Sequence, residues 1–399
     1  MTERSVADQL ADVASVRDTI LSAAAAARGL PGSDPYDMTH AWVFTGPPGS
    51  GRFLAALGFA QALECETGTG CGHCEGCRAV AAGAHPDVTH YVPQGSRILV
   101  DDMRRLISTA YSLPQVGHWR VLIIDNADRF NESSANAMLK TVEEPPEHTV
   151  IIMCAPSIAE EDFMPTLRSR CRHVYIPAPS TSEIVRILVE EGASETDARL
   201  AAVASLHHVG RARRLVTIPS MQRRRAQTLN LAELIFHGDQ AFQAVGDLVK
   251  AVKREVEETS AVADAAELAK LENSLGMGGK GKGAAKAARG SAGQVKELEK
   301  EQKRRRTRKN LDVLDLALVD LAGLYRDALM YQAGVDGIES VHPDFEPLAR
   351  EIAGQGDAAA LIACQEAIAI ARDQLQRNVT PQTALDGMIG RIRIAMKVC

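Results

Sequence analysis

A glycine-rich segment, residues 46–51, follows an apolar run and precedes a helical pattern, which is the context of a phosphate-binding P-loop. In a hydrolysing P-loop, a lysine and then a Ser or Thr follow the last glycine and reach the outer phosphates and the magnesium. Here those positions hold Arg52 and Phe53. Arginine keeps the positive charge as a planar fork, whereas a phenyl ring cannot bind a metal. We therefore expect a degenerate nucleotide cradle, which accepts an anion without magnesium-dependent hydrolysis, built by Gly46, Gly49, Gly51 and Arg52.

A second apolar run, Val121 to Ile124, ends at Asp125 and resembles the acidic strand end that holds magnesium in P-loop ATPases. Asp125 supplies the carboxylate. The next position often carries the glutamate that activates water, but here it is Asn126, and an amide is no general base. The P-loop and the end of this strand therefore both lack a residue that ATP hydrolysis needs. The alternative is that the glycine turn and the acidic strand end are chance features of an α/β fold.

Four cysteines lie close together in the sequence, with the spacing C-x5-C-x2-C-x2-C. Four thiolates complete the tetrahedral coordination of a structural zinc ion, and the intervening glycines permit the tight backbone of such a knuckle. His73 lies inside the cluster and is a weaker substitute ligand. Reduced thiols without a metal are the alternative. We expect structural zinc bound by Cys65, Cys71, Cys74 and Cys77.

A short loop before a predicted strand is dense in arginine, with Arg168 and Arg170 flanking Ser169. At a sheet edge, such a loop can present a guanidinium to a neighbouring subunit as an arginine finger, which stabilises the charge of a transferring phosphoryl group. An ordinary basic surface loop is the equal alternative at this point.

The elements that must position these residues follow an α/β pattern. Short apolar strands at 41–45, 121–124, 150–153 and 173–176 alternate with helical stretches at 53–64 and 133–144. Such alternation predicts a parallel sheet with flanking helices. After Pro179 only helical periodicity remains.

The composition sets the class of protein. The 399 residues are 45% hydrophobic but only 4% aromatic, so aliphatic side chains must fill the cores. The formal net charge of −6 says little about partners. No apolar run approaches the roughly 20 residues that span a bilayer, so we expect a cytoplasmic protein without membrane contact.

One segment, residues 276–309, departs from the rest in composition. Between Lys280 and Lys309 there are twelve Lys or Arg residues against three Glu, a net charge of +9. A flexible, solvated linker is the leading interpretation. A non-specific nucleic-acid contact is the alternative.

Together these motifs resemble the clamp-loader branch of the AAA+ family, which serves bacterial DNA polymerase III. The resemblance is strongest over residues 40–178. It rests on the variant P-loop, the cysteines, the Asp125 strand, the segment from Ser134 to Pro146, and Leu167-Arg168-Ser169-Arg170-Cys171. It implies an α/β AAA+ P-loop domain at 1–178 with a zinc insertion at 65–77. An all-α lid at 179–220 and an all-α collar at 221–399, with the basic insertion at 276–309, would follow.

The resemblance also assigns roles. Arg170 would act in trans on ATP bound by the adjacent subunit, and Arg213 best matches a second nucleotide-sensing arginine. The partners would be gamma/tau-type ATPase subunits and a delta-type subunit in a hetero-pentameric ring, with the sliding clamp and primed DNA reached through that complex.

Because the family's ATPase subunits keep the lysine and the hydroxyl, this chain is expected to be a non-hydrolysing subunit of the holoenzyme, a nucleotidyltransferase. It would bind ATP weakly or not at all. The alternatives are an active gamma/tau-type ATPase and a purely structural, zinc-stabilised scaffold.

Overall fold

The computed structural model describes residues 4–93, 95, 97–275, 282–335, 337, 339–377 and 379–398, with the backbone alone at 282–292. The described chain divides into two compact units. The first comprises residues 1–192 and 207–212, and the second comprises 193–206 and 213–399. The predicted boundaries at 178 and 220 stay predictions.

A five-stranded, all-parallel sheet forms the centre of the first unit. The strands lie in the order β2-β3-β4-β1-β5. Their bounds are β1 Ala41–Thr45, β2 Val88–Tyr91, β3 Arg120–Ile124, β4 Thr149–Ala155 and β5 Arg172–Tyr175. Because all strands run the same way, the loops that follow β1 and β3 emerge at one edge of the sheet.

Side chains of the inner strands alternate between two buried layers, as the two-residue period of a strand requires. Trp42, Phe44, Val121, Ile123 and Ile152 share one core. The other face buries their neighbours in sequence, namely Val43, Leu122, Ile124, Ile151 and Met153. With both faces covered, β1, β3 and β4 are buried throughout, which explains why they read as uninterrupted apolar runs.

The helices of the first unit cover both faces of the sheet. They are α1 Val6–Gln9, α2 Ala14–Ala27, α3 Arg52–Leu63, α4 Glu75–Ala81, α5 Val100–Ala110, α6 Glu132–Glu143, α7 Pro165–Arg168 and α8 Thr181–Glu190. At the start of α6, Asn131 accepts a hydrogen bond from the Ser134 N–H, and the Ser134 hydroxyl accepts one from the Asn131 N–H. This reciprocal cap fixes where the helix begins.

The second unit is helical in its described part. After α9 Glu195–Ala204 come α10 Val209–Thr217, which crosses the boundary between the units, α11 Pro219–Leu234, α12 Gln240–Ser274, α13 Lys282–Gln332, α14 Glu346–Gln355, α15 Ala358–Gln376 and α16 Pro381–Ala395. Helices α11 to α16 share one core, with Tyr325, Leu361 and Ile389 fully buried. The predicted fold class, a parallel α/β domain followed by helices, is confirmed. No helix of the described residues is both long and apolar enough to cross a membrane.

Two sequence-based expectations differ from the structure. Strand β2 was not predicted, because Val88-Thr89-His90-Tyr91 is a sheet-edge segment without an apolar run. The basic segment at 276–309 was expected to be a flexible linker, but from Lys282 onwards it is helix α13. Arg305 and Arg306 pair with acidic residues of α12, as described below, and composition alone cannot predict such pairing. Residues 276–281 lie outside the described residues.

A buried ion pair anchors the segment that leads into β3. Arg120 and Asp87 are almost fully buried, and Arg120 Nη2 lies 3.1 Å from Asp87 Oδ1. The Asp87 carboxylate also accepts hydrogen bonds from the backbone N–H groups of Gln115, Val116 and Gly117. Burial raises the pKa of Asp87, but these bonds and the Arg120 charge outweigh burial and hold the pKa below its usual value.

We expect Asp87→Asn to destabilise the first unit by about 3–5 kcal/mol, because it leaves the Arg120 guanidinium buried without a counter-charge. Both tryptophans, Trp42 and Trp119, lie in this unit, so urea unfolding followed by tryptophan fluorescence measures its stability. The contribution of Asp87 should be fully present above the unfolded pKa of about 3.9 and lost as the pH falls through the lower folded pKa.

The matched control is Asp101→Asn, which removes the carboxylate of an exposed pair between Asp101 and Arg104. An exposed pair of this kind contributes about 0–1 kcal/mol. Equal losses from the two substitutions would contradict the anchoring role of Asp87.

Candidate functional site

The predicted P-loop joins β1 to α3. Gly51 precedes the first residue of α3 with φ of 87°, and Gly49 has the same left-handed φ. A Cβ at position 49 would lie 2.5 Å from the Cα of His208. Residues 207–212 belong to the same compact unit as the loop, so His208 covers the loop at Gly49. Only glycine fits at position 49, because the backbone is left-handed and a Cβ would clash with His208.

Two polar groups of the loop have no hydrogen-bond partner in the described structure. They are the Ser50 hydroxyl and Nη1 of Arg52, and both atoms are buried. A buried donor without a partner costs free energy that a bound acceptor would recover. These groups therefore fit a small anion such as a phosphate, as the sequence predicted for Arg52.

The magnesium side of the loop is filled by protein side chains. The Phe53 ring stacks on His90 of β2, with ring centroids 4.1 Å apart and planes inclined by 22°. His90 Nε2 in turn lies 4.0 Å from Asp125 Oδ2. Burial lowers the pKa of His90 despite the Asp125 charge, so the ring is neutral at pH 7. A stacked phenyl ring thus stands where a hydrolysing P-loop carries its metal-binding hydroxyl.

Asp125 and Asn126 follow β3 at the same sheet edge as the P-loop. The Asp125 Oδ1 atom accepts a hydrogen bond from the Asn126 N–H, and Asn126 adopts a left-handed backbone with φ of 49°. Asp125 therefore lies beside His90, and His90 in turn stacks on Phe53. Among the described residues, Asp125 belongs to no group of three or more side chains that could hold a metal ion.

The four predicted zinc ligands do converge. Their sulfur atoms lie within 4.8 Å of one another, and among the described residues they form the one such group of metal-binding side chains. Four sulfurs about 2.3 Å from a central zinc fit this spacing with a small contraction. His73 is not in the group, because its Nδ1 lies 3.1 Å from the Cys71 carbonyl oxygen on the surface.

Backbone N–H groups prepare the sulfurs for a cation. The N–H groups of Cys71, Cys74 and Cys77 donate to the sulfurs of Cys65, Cys71 and Cys74, each at 3.4 Å. Burial raises the pKa of Cys65, but hydrogen bonds centred on Thr67 and the Cys71 backbone lower it to about 5. Burial and the neighbouring Cys74 and Cys65 instead raise the pKa of Cys77. Cys65 is therefore held as the thiolate, the form that binds zinc.

The candidate finger Arg170 lies just after α7, with its side chain partly exposed. Its Nε is 2.7 Å from Glu143 Oε1 at the end of α6. Its Nη1 donates to the Thr166 carbonyl and to the Ser169 hydroxyl, at 2.9 and 3.0 Å. Arg168 instead donates to the Ile158 carbonyl. The Arg170 guanidinium is therefore held at the surface by weak, solvent-exposed contacts, and its role in trans stays a prediction.

The predicted sensor Arg213 lies in α10 and in the second compact unit. Its nucleotide-sensing role stays a prediction. Sequence reasoning missed His90 and the covering position of His208. His90 gave no signal because its strand was not predicted, and His208 stood out only as a neighbour of Arg211 and Arg213.

Among known protein families, the one described as DNA polymerase III, delta subunit, matches residues 35–180 of this chain. This part of the chain is therefore similar to subunits of the DNA polymerase III clamp loader. The clamp-loader match includes the P-loop, the cysteine group, Asp125 and Arg170. The match ends at residue 180, just before α8 begins.

Relatives of two kinds share this clamp-loader region. The delta' subunit of DNA polymerase III from Pseudomonas aeruginosa is 32% identical over 171 residues, which cover 41% of this chain and 52% of the relative. The tau/gamma subunit from Haemophilus influenzae is 33% identical over 174 residues, which cover 42% of this chain and 25% of the relative. The family match and the delta' relative support a delta-prime-type clamp-loader subunit, whereas the tau/gamma relative matches the same region about equally well.

The chain thus spans about half the length of the delta' relative and a quarter of the tau/gamma relative. Among solved structures, a gamma-subunit-related protein of Thermotoga maritima covers 89% of this chain and 94% of its own, at 16% identity and a TM-score of 0.40.

Proposed function

We propose that the protein is a delta-prime-type subunit of the bacterial clamp loader that does not hydrolyse ATP itself and supplies Arg170 to a neighbouring ATPase subunit. The observation that carries the proposal is the stack of Phe53 on His90, beside Asp125 and Asn126. It replaces the metal-binding hydroxyl, and an amide stands where a water-activating carboxylate is needed. The loop therefore lacks the residues that ATP hydrolysis needs.

The partners follow from the family. The chain would join gamma/tau-type ATPase subunits and a delta-type subunit in a hetero-pentameric ring, and help load the sliding clamp onto primed DNA. Residues 1–178 would be the AAA+ domain, 179–220 the lid and 221–399 the collar that joins the ring. The four cysteines would hold structural zinc in the first domain, where Cys65 and Cys77 are fully buried.

A degenerate nucleotide site is compatible with this role. The unpartnered Ser50 hydroxyl and Arg52 Nη1 favour weak binding of a phosphate, whereas His208 against Gly49 restricts the space above the loop. If bound, ATP would present its phosphates to these donors, and this chain's residues would hold it without activating a water.

We expect the isolated chain to show no DNA-stimulated ATP hydrolysis, because Phe53 cannot supply a metal ligand and Asn126 cannot act as a general base. A colorimetric phosphate assay measures the turnover, and a gamma/tau-type subunit purified in the same way is the positive control. Robust turnover by the isolated chain would instead favour the alternative, an active ATPase that uses Arg52 in place of lysine.

Nucleotide binding separates these readings further. We expect any affinity for ATP, measured by isothermal titration, to be the same with magnesium and with EDTA, because the loop lacks the hydroxyl ligand. Affinity that requires magnesium would contradict a metal-free cradle. The scaffold alternative makes no use of Arg170 and is tested with the arginine substitution in the Discussion.

A further inference from the structure

The long helices α12 and α13 form a hairpin whose outer part lacks an apolar core. Successive contacts run from Thr259 with Lys309 to Glu267 with Arg305, so the two helices are antiparallel. We call residues 257–274 and 293–309 the arm. Among its described side chains, Gln302 alone is buried, whereas Val256 and Leu314 mark where the core of the unit begins. The arm is therefore held largely by polar contacts.

Those contacts neutralise one face of basic α13. Arg305 pairs with Glu267 and lies 3.3 Å from Asp264, and Arg306 lies 2.9 Å from Asp264. The Gln302 amide donates to the Asp264 carbonyl at 2.9 Å. The Arg305 guanidinium lowers the pKa of Glu267 through its hydrogen bond, so the carboxylate stays charged. Asp264 and Glu267 of α12 are thus engaged by the inner face of α13.

The outer face of α13 keeps its positive charge. Its exposed basic residues recur at intervals of four, three and one, which places them on one side of a helix. Among the described residues, three of them form no ion pair, and Lys300 has one weak contact to Glu297 at 3.6 Å, with both side chains more than half exposed. We call this set the basic stripe: Lys296, Lys300, Lys303 and Arg304.

The basic charge of the arm lies on its α13 segment. Residues 293–309 contain eight Lys or Arg and three Glu, a net charge of +5, whereas residues 257–274 of α12 contain five acidic residues and one lysine, a net charge of −4. The three glutamates, at positions 297, 299 and 301, do not share the spacing of the stripe. The stripe spans nine residues of helix, so its two ends lie about 12 Å apart at 1.5 Å per residue. Duplex DNA presents one negative charge per about 1.7 Å, so several phosphates lie within reach of four basic side chains.

We propose that the basic stripe is a sequence-independent contact to the phosphate backbone of DNA. Protein interfaces are depleted in lysine and organised around apolar and aromatic anchors. The stripe is rich in lysine, and the exposed residues that flank it in the sequence, such as Gln294 and Thr307, are polar. Phosphate contacts need only basic side chains on long stems. The choice of DNA as the nucleic acid rests on the proposed function, whereas the phosphate chemistry rests on the stripe alone.

The test measures binding of the full chain to a fluorescein-labelled 30-base-pair duplex by anisotropy, over a range of KCl concentrations. The variant is Lys296→Gln/Lys300→Gln/Lys303→Gln/Arg304→Gln. Glutamine keeps the helix propensity of lysine and arginine, and circular dichroism checks that helicity is retained. Each phosphate contact contributes about 0.9 to the slope of log K against log salt, so the slope should fall by up to about 3.6.

The chain offers a matched control. Lys303→Gln/Arg304→Gln is compared with Lys253→Gln/Arg254→Gln, an identical and equally exposed pair on α12 outside the arm. We expect the first pair to lower the slope by up to about 1.8 and the second to leave it unchanged. Equal losses from the two pairs would show that only overall charge matters, and would overturn the proposal.

Two further outcomes would overturn it. One is an unchanged affinity and salt slope in the fourfold variant. The other is displacement of the DNA by polyglutamate at a lower charge concentration than by unlabelled duplex, which would assign the stripe to an acidic protein. Neither outcome affects the proposed function, which is tested by ATP turnover and ring assembly. Conversely, turnover by the isolated chain would refute that function and leave the stripe result standing.

Discussion

Replacing Arg170 with alanine should lower ATP hydrolysis at the neighbouring subunit's site by about a thousand-fold or more, the effect known for arginine fingers. The loss is expected to be large because a guanidinium stabilises the transferring phosphoryl group only in the transition state. In this chain Arg170 is restrained by the exposed carboxylate of Glu143 and by Thr166 and Ser169. These contacts are weak enough to exchange for a phosphate.

The measurement is single-turnover ATP hydrolysis by the assembled ring. The kinetic phase that comes from the neighbouring ATP site facing Arg170 should disappear. Size-exclusion chromatography checks that the ring still forms. Arg168→Ala is the control, because Arg168 lies two residues away and donates to the Ile158 carbonyl. If the Arg170→Ala ring keeps every phase and loads clamps normally, the finger assignment is wrong and the scaffold alternative gains support.

Removing one zinc ligand should have the largest effect on stability. We expect Cys77→Ser to lose the metal and to lower the melting temperature of the first unit by about 10–20 °C. Structural zinc sites bind with apparent free energies of about 10–16 kcal/mol, and a loss of about 5 kcal/mol already shifts a unit of this size by that amount. Cys77 is fully buried and its carbonyl accepts a hydrogen bond from Gln61 of α3, so the damage should spread into that helix.

Metal analysis of the purified chain should give one zinc per chain for the unmodified protein and for Cys171→Ser, a substitution outside the cluster. Adding EDTA should reproduce the lowered melting temperature of Cys77→Ser. Less than about one zinc per unmodified chain, or a melting temperature insensitive to EDTA, would count against the site.

The features found from sequence were those that depend on local pattern. Strands β1, β3 and β4 are buried on both faces and therefore appear in the sequence as apolar runs. The cysteine group is recognisable from the sequence spacing of its four members. The helical second half followed from periodicity. These signals lie within short windows of the chain, and the parallel sheet then brought Asp125 to the edge where the P-loop lies.

What was missed depends on contacts between distant segments. The stack of Phe53 on His90 joins residues from β2 and α3, and β2 is defined by pairing with β3 rather than by its own apolar content. Residues 276–309 were predicted to be a flexible linker because Gly, Ala and Lys dominate their composition. The order of the arm depends on Arg305 and Arg306 meeting acids some forty residues earlier in the chain.

On the function proposed above, no single substitution rebuilds a hydrolysing site in this chain. A threonine at position 53 restores the hydroxyl but removes the ring that covers His90. A lysine at position 52 or a glutamate at position 126 leaves the other gaps open, and His208 still lies against Gly49. Each of these substitutions alone leaves at least one required group missing. On the proposed function, several substitutions would have to arise together before this subunit could hydrolyse ATP, so its evolutionary dependence on a neighbour's site is hard to reverse.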